Sequence, residues 1–197
     1  MNRSEKVHKI TLTAILMAVI GLMSVTPLGY LKMGIVSITL LPIPVVIGGI
    51  VLGPAYGALL GGVFGVTSFV QCFGMDAFGT ALMGLSPLRT LVVCLVPRVL
   101  IGLFAGLLYP ALRRLDRGGV ASAVATALVG ALTNTVFFVG LVILFFKDTY
   151  FAGSGVWEII MIFFSINIVV EALVCAVVGA AISKILLRFA PGKREKR

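Results

Sequence analysis

Two ionisable side chains stand inside long apolar stretches of this chain, Arg98 in Cys94-Leu-Val-Pro-Arg-Val-Leu-Ile101 and Glu171 in Ile168-Val-Val-Glu-Ala-Leu-Val174. At the centre of a bilayer such a charge costs ~2.5–3.5 kcal/mol or more unless it is paired or hydrated. The two could satisfy each other as a structural ion pair. Alternatively Arg98 lies at the floor of an outward-facing pocket, where its forked donors would take an anionic group. Arg89, just after Pro87, is a second candidate for that role. Among uncharged groups the strongest candidates are Asn134, between Thr133 and Thr135, and Asn167, close to Ser165. An amide in an apolar helix either bonds a neighbouring helix or reaches a ligand, so both readings stay open for each.

The chemistry these residues can support is binding rather than bond cleavage. No Gly-x-x-x-x-Gly-Lys-Ser/Thr phosphate loop occurs, so ATP hydrolysis by that route is not expected. The one histidine, His8, belongs to a basic amino-terminal segment, which removes histidine-based metal catalysis and Ser/His nucleophilic catalysis from consideration. Asp76, Asp116 and Asp148 all fall in polar connections, so no pair of aspartates is placed to hold magnesium within the membrane. The expectation is a protein that is not an enzyme, with no cofactor or metal of its own.

The elements that must position Arg98 and the amides follow from composition. Of 197 residues 60% are apolar and 12% are charged, against ~45–50% and ~25% in a soluble domain. Each helical span takes ~20 apolar residues. The sequence predicts an all-α integral membrane protein, a single six-helix membrane domain over 1–197, with spans at about 10–26, 37–53, 55–71, 88–112, 119–146 and 156–187. The first apolar run is expected to be a retained helix rather than a cleaved signal, since no small-x-small cleavage site follows it. Pro42 and Pro44 are expected to break or kink the second span. Gly53-Pro54 reads as a turn, and 71–87 as a long connection able to hold a short helix.

Charge sets the orientation. Arg3, Lys6 and Lys9, then Arg113, Arg114 and Arg117, then Lys184, Arg188, Lys193, Arg194, Lys196 and Arg197 fall on one side of a six-span arrangement. Lys32, Arg89, Arg98 and Lys147 lie elsewhere. The positive-inside rule then places both termini in the cytoplasm. The formal charge of +9 is a cytoplasmic collar and no sign of nucleic-acid binding. Glycines recur every four residues at Gly49, Gly53, Gly57, Gly61 and Gly65, a groove for close helix packing or for a ligand. Cys72, Cys94 and Cys175, far apart in the sequence, read as buried small apolar side chains.

Six spans with Ala14-x-x-x-Ala18 in the first resemble the substrate-binding S component of an energy-coupling factor vitamin transporter. The run from Leu41 through Gly53-Pro54 to Ser68 is similar to that family's second and third spans. Val96-Pro-Arg-Val-Leu-Ile-Gly-Leu103 and Gly130-Ala-Leu-Thr-Asn-Thr135 resemble later segments, most closely those of the pantothenate-specific branch. The resemblance implies capture of a small water-soluble vitamin from outside. It also implies an energy-coupling module as partner, with two ATPase subunits that use ATP and one transmembrane coupling protein, in a bacterial plasma membrane. It places Gln71, Arg98, Asn134, Asn167, Glu171 and Trp157 around the pocket, with Tyr30 or Lys32 in its lid, and Ala14 and Ala18 on the docking face. A self-sufficient secondary transporter or channel is the competing reading. Such folds often show inverted repeats, and none is evident here.

Overall fold

Proline opens three of the helices. The computed structural model describes residues 3–26, 29–33, 36–114 and 120–151, together with residues 155 and 157. Over these the chain runs α1 (Arg3–Val25), β1 (Tyr30–Met33), β2 (Val36–Thr39), α2 (Pro42–Leu52), α3 (Pro54–Gln71), α4 (Ala77–Leu85), α5 (Pro87–Leu112) and α6 (Val120–Phe146). Pro42, Pro54 and Pro87 each occupy a first helical position, where the missing N–H has no intrahelical acceptor to lose.

This corrects the expectation for the second span. The segment expected as one span over 37–53, broken or kinked at its prolines, begins as a strand, and the helix starts only at Pro42. Pro42 and Pro44 therefore initiate a helix instead of kinking one. The strands β1 and β2 pair antiparallel, with Tyr30 opposite Thr39 and Met33 opposite Val36, so the fold is helical with one small hairpin. The short helix anticipated between Gln71 and Pro87 is α4, whose first turn is capped by Asp76 Oδ2 accepting from the Gly79 N–H at 2.6 Å.

Among the described residues three helices are long and apolar enough to cross a membrane, within α1 over Glu5–Val25, in α5 over Pro87–Leu112 and in α6 over Ala121–Phe146. At ~1.5 Å per residue, the 26 residues of α5 reach about 39 Å, more than a hydrocarbon core of ~30 Å requires. The expected sixth span, 156–187, lies outside the described residues apart from Trp157.

Only 11 residues long, α2 is buried along nearly its whole length, because α1, α3, α5 and α6 all pack on it. Gly53, at φ +100°, makes the turn that brings Gly57 of α3 against Gly49 of α2. The closest helix pair is α3 with α5. A Cβ on Gly57 would strike the Gly102 carbonyl, and one on Gly61 would strike the carbonyl of Arg98. The glycine row is thus filled by the α5 backbone, which settles its function as packing along Gly57, Gly61 and Gly65.

Two apolar clusters result. One gathers Ile20 from α1, Val45 and Val46 from α2, Leu60 and Phe64 from α3, Ile101 from α5 and Ala127 from α6. The other joins Leu82 of α4, Val93 of α5, and Val142 and Phe146 of α6, with Phe78 and Phe138 packed against it. Arg98 sits between them.

Candidate functional site

Pro97 determines where the Arg98 side chain is held. In an α-helix residue 97 would donate its N–H to the carbonyl of residue 93. Proline has no N–H, so the Val93 oxygen loses its intrahelical partner at a depth where water cannot replace it. Arg98 Nη1 donates to that oxygen at 2.9 Å. The guanidinium is drawn back along α5, the direction in which helical side chains lean.

Two aromatic rings flank it. The Arg98 Cζ lies 5.6 Å from the centroid of Phe64 and 4.9 Å from that of Phe138. Cation–π contacts of this kind contribute ~0.5–2 kcal/mol each and fix the plane of the group. One ring comes from each apolar cluster, so α3 and α6 together clamp a residue of α5. Among the described residues no carboxylate pairs with Arg98, and its Nε is buried with no hydrogen-bond partner. A buried charged donor left without an acceptor costs more than a neutral one, so Nε marks where an acceptor belongs.

Asn134 supplies the complementary defect. It lies on α6 one turn before Phe138, hence on the face that reaches Arg98. Its Oδ1 is buried and accepts no hydrogen bond among the described residues. Thr135, its neighbour, spends its hydroxyl on the Ala131 carbonyl at 3.3 Å. The two unsatisfied groups are thus of opposite kind, a cationic donor on α5 and a neutral acceptor on α6. Together they suit a small molecule carrying an anionic group and a hydroxyl or amide N–H.

The other expected residues within the described part are Gln71, Arg89, Tyr30, Lys32 and Trp157. Gln71 ends α3, and its Nε2 donates to the Ser24 carbonyl at 2.8 Å, tying α3 to the end of α1. Arg89 is exposed, and its Nη1 donates to the Phe145 carbonyl at 3.2 Å. That carbonyl belongs to the last turn of α6, where backbone acceptors are left over and a cation is favoured. Tyr30 lies in β1 opposite Thr39, and Lys32 opposite Ser37. Trp157 is exposed over 71% of its surface. Asn167 and Glu171 lie outside the described residues, as does Cys175.

The sequence singles out Arg98 and Asn134; the rings of Phe64 and Phe138 and the consequence of Pro97 come from the structure. The Pro-Arg dipeptide held the signal, since a proline inside an apolar helix announces a free carbonyl four residues earlier. A groove of about 550 Å³ lined by Arg3, Val7, His8 and Thr11 lies at the start of α1. It is open and its named lining comes from one helix alone, so it cannot enclose a ligand.

On α1, Ala14 and Ala18 are exposed, in line with exposed Ile15, Val19 and Leu22. The opposite face buries Leu16 and Ile20. Ala14 and Ala18 therefore form a small-residue step on an outward apolar face, beside the larger Ile15, Val19 and Leu22, open to lipid or to another helix.

Comparison with known proteins adds to this geometry. Residues 8–183 match the family described as "ECF transporter, substrate-specific component". A pantothenic acid transporter of Lactococcus lactis subsp. cremoris is 32% identical over 122 residues, which cover 56% of this chain and 59% of that protein. A pantothenate transporter of Leuconostoc mesenteroides subsp. mesenteroides is 28% identical over 201 residues, 95% of this chain and 96% of that protein.

Proposed function

Because the chain belongs to the family of ECF transporter substrate-specific components, a family of transport proteins and not of enzymes, we propose that it captures a small water-soluble vitamin from outside the cell. The best candidate is pantothenate, the molecule named for the two relatives. The observation that carries this reading is that a buried Nε on Arg98 and a buried Oδ1 on Asn134 both lack a hydrogen-bond partner among the described residues. Pantothenate has a carboxylate to accept from the first, and hydroxyls and an amide N–H to donate to the second. A charge-assisted bond to the carboxylate is the stronger of the two. Asn167, Glu171, Gln71, Trp157 and Tyr30 complete the proposed pocket and its lid.

In this reading the protein is a multi-pass component of the plasma membrane with six spans and both termini in the cytoplasm. It delivers its cargo by docking, through the face that carries Ala14 and Ala18, onto a separate module of two ATPase subunits and one transmembrane coupling protein. ATP is consumed there, and this chain holds no cofactor. The test is uptake of labelled pantothenate into proteoliposomes. Accumulation is expected only when the ATPase module and ATP are present. Uptake by the lone chain under a proton or sodium gradient would instead make it a self-sufficient secondary transporter.

A further inference from the structure

Cys72 and Cys94, 22 residues apart in the sequence, come together with their sulfurs 3.7 Å apart. Both are free thiols and both are buried, with 4% and 5% of their surface exposed. Cys72 follows the last residue of α3 and opens the turn that leads to α4, while Cys94 lies in α5 one turn before Arg98. We propose that these two cysteines form a dithiol modification site that low-molecular-weight disulfides convert to a disulfide, stapling the α3–α4 turn to α5 beside Arg98.

The placement favours bond formation between this pair. A disulfide needs the sulfurs at ~2.05 Å, so they must close by about 1.7 Å. Cys72 can supply much of that movement because it stands at a helix end. The residues after it, Phe73, Gly74 and Met75, are exposed, and Gly74 has φ +110°. Opening of this turn gives a small reagent its route to a sulfur that is otherwise covered. Cys94, inside a helix and packed under Cys72, is then positioned as the second sulfur.

The exchange balances. A Cys72 thiolate, its proton given to solvent, attacks one sulfur of the small disulfide, forms a mixed disulfide and expels one small thiolate, which is protonated. The Cys94 thiol gives its proton to solvent, attacks as the thiolate on the Cys72 sulfur of that mixed disulfide, forms the Cys72–Cys94 bond and expels the second small thiolate, which takes a proton in turn. Two protein thiols are oxidised, and one small disulfide is reduced to two small thiols. The cross-link closes a loop that contains all of α4, so it constrains the unfolded chain as well as the native turn.

The test uses the full chain in detergent carrying Cys175→Ser, treated with 2-hydroxyethyl disulfide and read by intact mass and by peptide mapping without reductant. The expected result is the loss of two hydrogens, a linked peptide joining Cys72 to Cys94, an upward shift of the thermal midpoint, and reversal of all three by reductant. With Cys94→Ser in addition, the reagent should stop at a mixed disulfide on Cys72. Two separate adducts without a linked peptide, or thiols that stay unreacted, would overturn the proposal. So would a cross-link that leaves the midpoint unchanged or lowers it. None of these readouts requires a vitamin, so they are independent of the transport reading.

Discussion

Replacing Arg98 should change both what the protein binds and how firmly it folds, and the two effects can be separated. In Arg98→Ala the Val93 carbonyl loses the partner it now has at 2.9 Å. Leaving such a group unsatisfied costs about 1–3 kcal/mol of stability. The same change removes the proposed anchor for a carboxylate, a charge-assisted hydrogen bond contributing about 1.5–3 kcal/mol. At ~1.4 kcal/mol per decade, the affinity for pantothenate should fall at least tenfold and up to roughly a hundredfold. Arg98→Lys keeps the charge, but one compact ammonium cannot match a fork that holds Val93 with one arm and a carboxylate with another. It should fold better than the alanine variant and still bind weakly. The decisive assay is calorimetric titration of wild type and both variants with pantothenate and with the analogue in which a primary alcohol replaces the carboxylate. Wild type should prefer the acid by at least tenfold, and Arg98→Ala should bind the two alike. If Arg98→Ala retained the full preference, Arg98 would not be reading the carboxylate, and the buried Nε would require a partner from elsewhere in the protein.

Pro97→Ala restores the N–H that the Val93 carbonyl lacks, so it should preserve or raise the thermal midpoint while weakening ligand affinity, as the guanidinium loses its tether; a lower midpoint with unchanged affinity would refute that origin for the Arg98 conformation. Gly61→Ala puts a Cβ against the Arg98 carbonyl and should destabilise the α3–α5 contact by about 1–3 kcal/mol, read as a lower thermal midpoint; a neutral result would mean that the helices are not in backbone contact there. Ala14→Trp or Ala18→Trp should abolish uptake by the reconstituted transporter without changing affinity for pantothenate, because Val93, Phe64 and Phe138, which hold Arg98, lie on α5, α3 and α6 and not on α1; lost affinity would contradict a docking role.

Much of the helical framework could be read from apolar runs and from Gly and Pro, because lipid-compatible helices leave a strong local signal. The start of α2 is hard to read in the sequence for a physical reason. Pro42 and Pro44 look like helix breakers, although a proline at the first helical position costs no hydrogen bond, and the short strand before it carries too few residues to stand out from an apolar run. Arg98 and Asn134 were legible because a polar group in an apolar helix is conspicuous in one dimension. What surrounds them was not. Phe64 and Phe138 look like ordinary core residues until α3 and α6 are brought against α5. The glycine row reads in sequence first as packing and second as ligand approach, and the Arg98 and Gly102 carbonyls against it favour the first. Cys72 and Cys94 read as separated bland residues because no local spacing encodes a contact made between the end of one helix and the middle of another.

The most direct test of a motorless capture subunit for an acidic vitamin is titration of the purified chain in detergent with pantothenate, without ATP, partner subunits or an ion gradient. Saturable binding at one site per chain, weakened at least tenfold by Arg98→Ala, is the expected result. Absence of binding by a folded chain, or binding that requires a proton or sodium gradient, would contradict it.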